Sequence, residues 1–194
     1  ELSNDICSLK PNVKKLTLTA LIDFDQKGEV VHSEFFTSVI KSRIRFTYNE
    51  VASLLKKNAL ENKHTEIIEI LHNMHRLSKI LRKKRFKCGS VDFHVPEPEI
   101  HMNSKRTVEK IIKAQTNEAH QLIEEFMLSA NQAVARHLFN KKLPSIHRIH
   151  ESPDEKKIAG FQKFIAGFGL RLNSPSNVSS SNLQNILKKV LIFK

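Results

Sequence analysis

The chain has 194 residues, 40% of them hydrophobic, enough for one domain with a core of its own, and 32 Lys and Arg against 20 Asp and Glu give a formal net charge of +12. No run approaches the roughly 20 apolar residues of a membrane span, and the opening ELSNDICSLK lacks the apolar block of a signal peptide. Two cysteines without a CxxC partner form neither a disulfide framework nor a structural zinc site, so a soluble protein of the reducing cytoplasm is expected.

Strands come first. KKLTLTALIDFD alternates around Leu16, Leu18 and Ala20, DQKGE supplies a turn, and VVHSEFFTSVIKSRIRFTY is a second β-rich run, which together predict an antiparallel hairpin or meander. Thr47 and Glu50 have capping-box spacing, so the second strand turns directly into a helix carrying Val51, Leu54 and Leu55. Tyr48 then sits at a strand-to-helix corner. Ile67, Leu71, Met74, Leu77 and Leu81 predict a longer helix that Gly89 can end. SVDFHV reads as a short strand.

HQLIEEFMLSAN, residues 120–131, reads as the next helix. At about 100° per residue, Ile123, Phe126, Met127, Ala130, Ala133, Val134 and His137 share an arc that is expected to be buried. Glu124 and Asn131 then border the arc, while Glu125 points away into solvent with Gln121 and Phe139. A carboxylate beside an amide at such a border is placed to accept hydrogen bonds from a docked ligand. SIHRIHE reads as a strand, and Ser152, Pro153 and Glu155 mark a helix start. NSPSNVSSSN is a polar loop near 173–182, and SNLQNILKKVLIF is a final helix. The fold class expected is α+β, an antiparallel-rich sheet with packed helices in a single domain over 1–194.

Basic residues recur in clusters: RKKRFK at Arg82–Lys87, SKRTVEK around Lys105, NKK at Lys142 and KK at Lys189. An excess of this size favours a polyanionic partner, nucleic acid first, and makes Lys83, Lys84 and Arg85 candidate phosphate contacts. Any one cluster can instead complement a helix dipole. Asp23 and Asp25 share a strand face but lead into the QKG turn, so they read as surface hairpin residues. His72 with His75, and His147 with His150 and Glu151, match no zinc pattern. Neither a Ser or Cys nucleophile motif nor a glycine-rich phosphate loop is evident, and the chain has only five glycines.

LIEEFMLSAN followed by QAVARHL, preceded by SRIRFTYNEV and CGSVDFHVPE and followed by RIHESPDEKK, resembles the catalytic domain of the ribonuclease II and ribonuclease R family of exoribonucleases. LSNDICSL at the start resembles the same family. The resemblance implies that Glu124 faces the ribose near the 3′ end of RNA. It implies that Tyr48, the sole Tyr, shares in telling RNA from DNA, and that Phe93 clamps a terminal base by stacking. It implies a processive, hydrolytic 3′-to-5′ exoribonuclease acting on single-stranded RNA and releasing nucleoside 5′-monophosphates, with a monomeric parent enzyme. The family's Mg2+ is held by an aspartate cluster, which is not found in this chain. The arginine-bearing block of the family is also missing, and His147 stands where the family has an aromatic. With no initiating Met either, the chain is expected to be a piece of a longer protein, inactive alone. The alternative, from another class, is a noncatalytic basic RNA-binding or protein-interaction module.

Overall fold

The computed structural model describes residues 2–56, 65–91, 98–114, 116–149, 151–172 and 178–192. Phe93, Asp92, most of the strand expected in SVDFHV, and His150 lie outside the described residues. Two compact units are formed, one from residues 1–81 and 115–145, the other from 82–114 and 146–194.

In the first unit, β1 (Lys14–Phe24) and β2 (Val30–Lys41) pair as an antiparallel hairpin, Lys14 opposite Lys41 and Ala20 opposite Phe35. Its turn is built by Asp25, whose carboxylate accepts the backbone N–H of Lys27 and of Glu29, each at 2.8 Å. Gly28 follows at φ +77, a left-handed conformation that glycine adopts without steric cost. β2 stops at Lys41, seven residues short of the strand end that the sequence suggests. Its partner runs out first: Asn12 turns to φ +62 and Pro11 has no N–H to donate, which leaves only an isolated bridge from Pro11 to Ser42. Tyr48 therefore follows an irregular segment, not a strand.

The two faces of the hairpin are unlike. On one, the hydroxyls of Thr17 and Thr19 lie 2.8 and 2.6 Å from that of Ser38, half-buried. On the other, Leu16 and Leu18 are each 87% exposed beside the exposed Val39. Nearer the turn this second face is half-buried at Ala20, Ile22 and Phe35, and the Phe35 ring meets that of His137, 4.7 Å between centroids.

Three helices contribute to this unit: α1 (Tyr48–Lys56), α2 (Thr65–Lys87) as far as Leu81, and α3 (Glu118–Asn140). The buried side chains here are Ile68, Leu71, Ser78 and Leu81 of α2 and Ala119, Leu122 and Glu125 of α3. α2 ends as its Gly predicts. Gly89 takes φ +98, the Ser90 N–H reaches the Arg85 carbonyl and the Gly89 N–H that of Phe86, which satisfies two carbonyls of the last turn.

The second unit contains a hairpin that the sequence reading missed, β3 (Pro98–Met102) paired with β4 (Val108–Lys113). Its signal was Asn103, whose side-chain oxygen accepts from the N–H of Lys105 and of Thr107 at 2.9 and 3.1 Å, between two Ile/Val-bearing runs. α4 (Glu155–Ala166) starts two residues later than the Ser152 signal suggests. Asp154 is the cap, accepting from the N–H of Lys156 and Lys157 at 2.7 and 3.3 Å, and Pro153 lies before it. α5 (Ser180–Ile192) begins inside the segment read as a loop, because the Ser179 hydroxyl accepts the Asn182 N–H. Ile165, Leu170, Leu172 and Ile186 form the core of this unit. Residues 144–149 form no strand: Ile146 and Ile149, three apart, do not share a strand face, and both are exposed. The α+β class stands, its sheets two antiparallel hairpins.

Gly28 and Gly160 make a matched pair. A Cβ on Gly28 would meet Ile80 Cγ2 at 3.0 Å in a left-handed backbone, whereas one on Gly160, inside α4, meets nothing within 4 Å. Gly28→Ala should cost about 1–3 kcal/mol, and Gly160→Ala should stabilise by about 0.5–1 kcal/mol; urea denaturation midpoints check both.

Candidate functional site

A helix start leaves four backbone N–H groups without partners, and at α3 a single side chain organises how they are met. Asn117, extended at φ −123 and ψ 179, accepts from the N–H of Ala119 at 3.1 Å and of His120 at 3.3 Å. His120 completes the box: its Nδ1 accepts the Asn117 N–H at 3.3 Å. The Asn117 amide donates to Asn49 Oδ1 at 3.1 Å, tying α3 to the first turn of α1.

α1 starts with its own box. The Thr47 N–H and hydroxyl both donate to Glu50 Oε2, at 2.6 and 2.8 Å, and the Glu50 N–H returns to Thr47 Oγ1. The Thr47 N–H first, and its hydroxyl second, hold the Glu50 carboxyl below the usual carboxylate range. With both helix starts fixed, the Tyr48 ring stacks on the His120 ring, centroids 3.8 Å apart and planes 20° apart. Tyr48 remains 45% exposed, so area is left for a ligand. From α2, His75 Nε2 lies 3.1 Å from Glu118 Oε2.

α3 is rotated relative to the arc expected from its sequence. Glu125, expected in solvent, is 2% exposed, while Ile123, Met127 and Val134, expected inside, are exposed. Both arcs are rich in apolar residues, so composition alone does not choose between them. Tertiary contact does: α3 packs on α1 and β1 through the side that carries Ala119, Leu122 and Phe126. Glu124 is consequently not at a buried border but on the exposed side of the helix. It stands in line with His120, Met127 and Asn131, a row at i, i+4, i+7 and i+11. Tyr48, seated on His120, and Glu124 are thus brought to one face of α3, with about 6 Å of axial rise between the two helix positions.

The RNB domain family model matches residues 1–192. The chain belongs to the RNB domain family. Among curated relatives, Ribonuclease R of Aquifex aeolicus is 36% identical over 189 residues, 97% of this chain and 27% of that protein. Ribonuclease R of Escherichia coli is 32% identical over 190 residues, 97% of this chain and 23% of that protein. The chain thus spans about a quarter of the length of these relatives. Among solved structures, Mycoplasma genitalium RNase R in complex with ribose-methylated single-stranded RNA aligns with a TM-score of 0.89 at 28% identity, covering 97% of this chain and 30% of that one. The same enzyme in complex with double-stranded RNA aligns with a TM-score of 0.85 at 29% identity, covering 97% of this chain and 34% of that one.

Lys83, Lys84 and Arg85 lie in the last turns of α2, in the second unit. There the Arg82 and Arg85 guanidinium groups lie 4.6 and 5.1 Å from the centroid of the Phe86 ring. Phe93 is outside the described residues. Among the described residues no three of His, Cys, Asp and Glu are grouped so as to hold a metal ion. No described helix is long and apolar enough to cross a membrane. His120, Asn117 and Asn49 escaped the sequence reading. The signal for Asn117 and His120 was NEAH, an Asn followed three residues later by His, which is a capping box with imidazole in place of the usual Glu or Gln; Asn49 carried none.

Burial, first, and the nearby Lys79, second, hold His75 below the ordinary histidine value of 6.5, and the opposing pull of Glu118 does not offset them. Protonation is therefore resisted in the folded state and not in the unfolded one, so this contribution to stability is present above the unfolded value and is lost as pH falls through the folded one. Urea midpoints measured at about pH 7.5 and about pH 5.5 should drop on acidification, and His75→Gln should shrink that drop.

Proposed function

We propose that this chain forms the RNA-holding part of a processive, hydrolytic 3′-to-5′ exoribonuclease that acts on single-stranded RNA and releases nucleoside 5′-monophosphates. The observation that carries the reading is the exposed row on α3, where Tyr48 rests on His120 one turn before Glu124. A carboxylate there accepts hydrogen bonds from ribose hydroxyls, the groups that DNA lacks at the 2′ position. The neighbouring phenol offers a ring for packing against a sugar or base, and a hydroxyl. Lys83, Lys84 and Arg85 contact phosphates, and Phe93 stacks on a terminal base. The RNA named with the Mycoplasma genitalium relative supports the substrate class. In the enzyme, Mg2+ would be held by groups outside the described residues, which bind and orient the substrate. A cytoplasmic, monomeric enzyme completes the reading. A noncatalytic module is not favoured, since the family match runs through the whole of the Tyr48 and Glu124 region.

Glu124→Ala in the full polypeptide should shrink the preference for RNA over DNA. Removing a charge-assisted hydrogen bond costs on the order of 1.5–3 kcal/mol, about one to two orders of magnitude in relative rate. Glu125→Ala, at a buried position, should instead lower the melting temperature and leave sugar preference intact. Rates on matched RNA and DNA oligonucleotides, with melting curves for both variants, separate the two. Equal effects on sugar preference would refute the assignment of Glu124.

If Lys83, Lys84 and Arg85 neutralise phosphates, replacing all three with Gln should reduce the slope of log affinity against log salt by about 2, from about 0.7 per phosphate on a single strand. Fluorescence titrations of single-stranded RNA over a range of salt measure that slope; an unchanged slope would refute the phosphate contacts and favour charges that complement the α2 dipole.

A further inference from the structure

We infer that His120 is a positioning residue for Tyr48: its ring is the platform that sets the plane in which Tyr48 meets a nucleotide. The inference rests on the reading of Tyr48 as an RNA contact and assigns a task that neither the sequence motifs nor the relatives specify.

A tyrosine at the first position of a helix, 45% exposed, has few neighbours of its own chain segment to hold its ring. Left alone it would sample several rotamers, and a nucleotide would have to order it on binding. His120 removes that freedom. Its ring lies 3.8 Å from that of Tyr48, centroid to centroid, and 20° from parallel, a face-on contact through which one flat ring restricts the plane of another. The platform is itself tied to the cap of α3 at one ring nitrogen. The Asn117 N–H donates to His120 Nδ1, and the backbone N–H of His120 donates to Asn117 Oδ1, so the imidazole stays against the start of its own helix. The Asn117 amide bonds Asn49, the residue after Tyr48, so the helix that carries the tyrosine is tied to the helix that carries its platform. The half-buried His120 also begins the row that continues to the exposed Glu124. The stack thereby places the tyrosine in register with the carboxylate proposed to share its ligand.

Two substitutions separate a platform from a mere cap. His120→Gln keeps a side chain that favours the third position of a capping box but has no ring. His120→Phe keeps a flat ring and gives up the Nδ1 acceptor. Tyr48 is the sole Tyr of these 194 residues, which hold no Trp, and the difference in tyrosine fluorescence anisotropy between the full polypeptide and its Tyr48→Phe variant reads this ring. His120→Gln should keep the melting temperature, lower the anisotropy and weaken binding of a single-stranded RNA oligonucleotide by about 2- to 10-fold, the range for ordering one side chain. His120→Phe should lower the melting temperature yet hold both anisotropy and affinity. The loss caused by His120→Gln should vanish when Tyr48→Ala is already present. The inference is overturned if His120→Gln leaves anisotropy and affinity unchanged, or if its loss persists in full in the Tyr48→Ala background. Should Tyr48→Ala itself leave RNA binding untouched, the RNA reading of Tyr48 falls, and anisotropy alone then decides whether His120 holds the ring.

Discussion

One amide side chain, that of Asn117, sets the geometry on which the candidate site depends. Its oxygen satisfies two N–H groups at the start of α3 and its nitrogen binds Asn49 of α1. Helix starts are under pressure to find partners for their backbone donors, because a buried donor without one costs about 1–3 kcal/mol. Here that pressure is used twice. The residue that ends the irregular chain before α3 also locks α1 alongside it, and the stacked pair of rings is the outcome. Tyr48 and Glu124 are 76 positions apart in the numbering, yet Tyr48 adjoins Asn49 and Glu124 lies about two helical turns along α3 from Asn117.

The other strongly determined features are also local satisfactions of backbone groups. Asp25 at the β1–β2 turn, Asn103 at the β3–β4 turn, Asp154 before α4 and Ser179 before α5 each offer one side-chain oxygen to nearby N–H groups. Such contacts span two to four residues, form without help from the rest of the fold, and are written in the sequence as short polar side chains. Asp25 in particular is occupied by two backbone donors. The Asp23 and Asp25 pair is thus better explained by the turn than by metal chemistry.

That locality explains what the sequence made legible. The Thr47–Glu50 box, the β1–β2 hairpin and the glycine end of α2 all depend on neighbours a few residues away, and all were foreseen. The Asn103 turn is equally local, but its residues Lys105 and Arg106 read first as a basic cluster, and only Asn103 carries the turn signal. The rotation of α3 was not legible. Its two candidate arcs are both apolar, and the choice belongs to α1 and β1, which the helix cannot announce. Glu125 shows the cost of reading polarity as exposure: a carboxylate was buried, and its neighbour Glu124, taken for a border residue, was the exposed one. The family resemblance supplied Tyr48 and Glu124 as residues of interest, but only the fold joined them through His120.

The β1–β2 hairpin turns its threonine and serine hydroxyls toward partial burial and presents leucines to water, the reverse of ordinary sheet amphipathicity. For the chain in solution this makes colloidal behaviour a contest between two forces of different range. The net charge of +12 repels neighbouring molecules across a Debye length of about 10 Å at 0.1 M salt and about 3 Å at 1 M. The attraction between Leu16, Leu18 and Val39 faces of separate molecules is short-ranged and survives screening. Ionic strength therefore sets how near two such faces come, and a polyanion that cancels the charge acts in the same direction as salt.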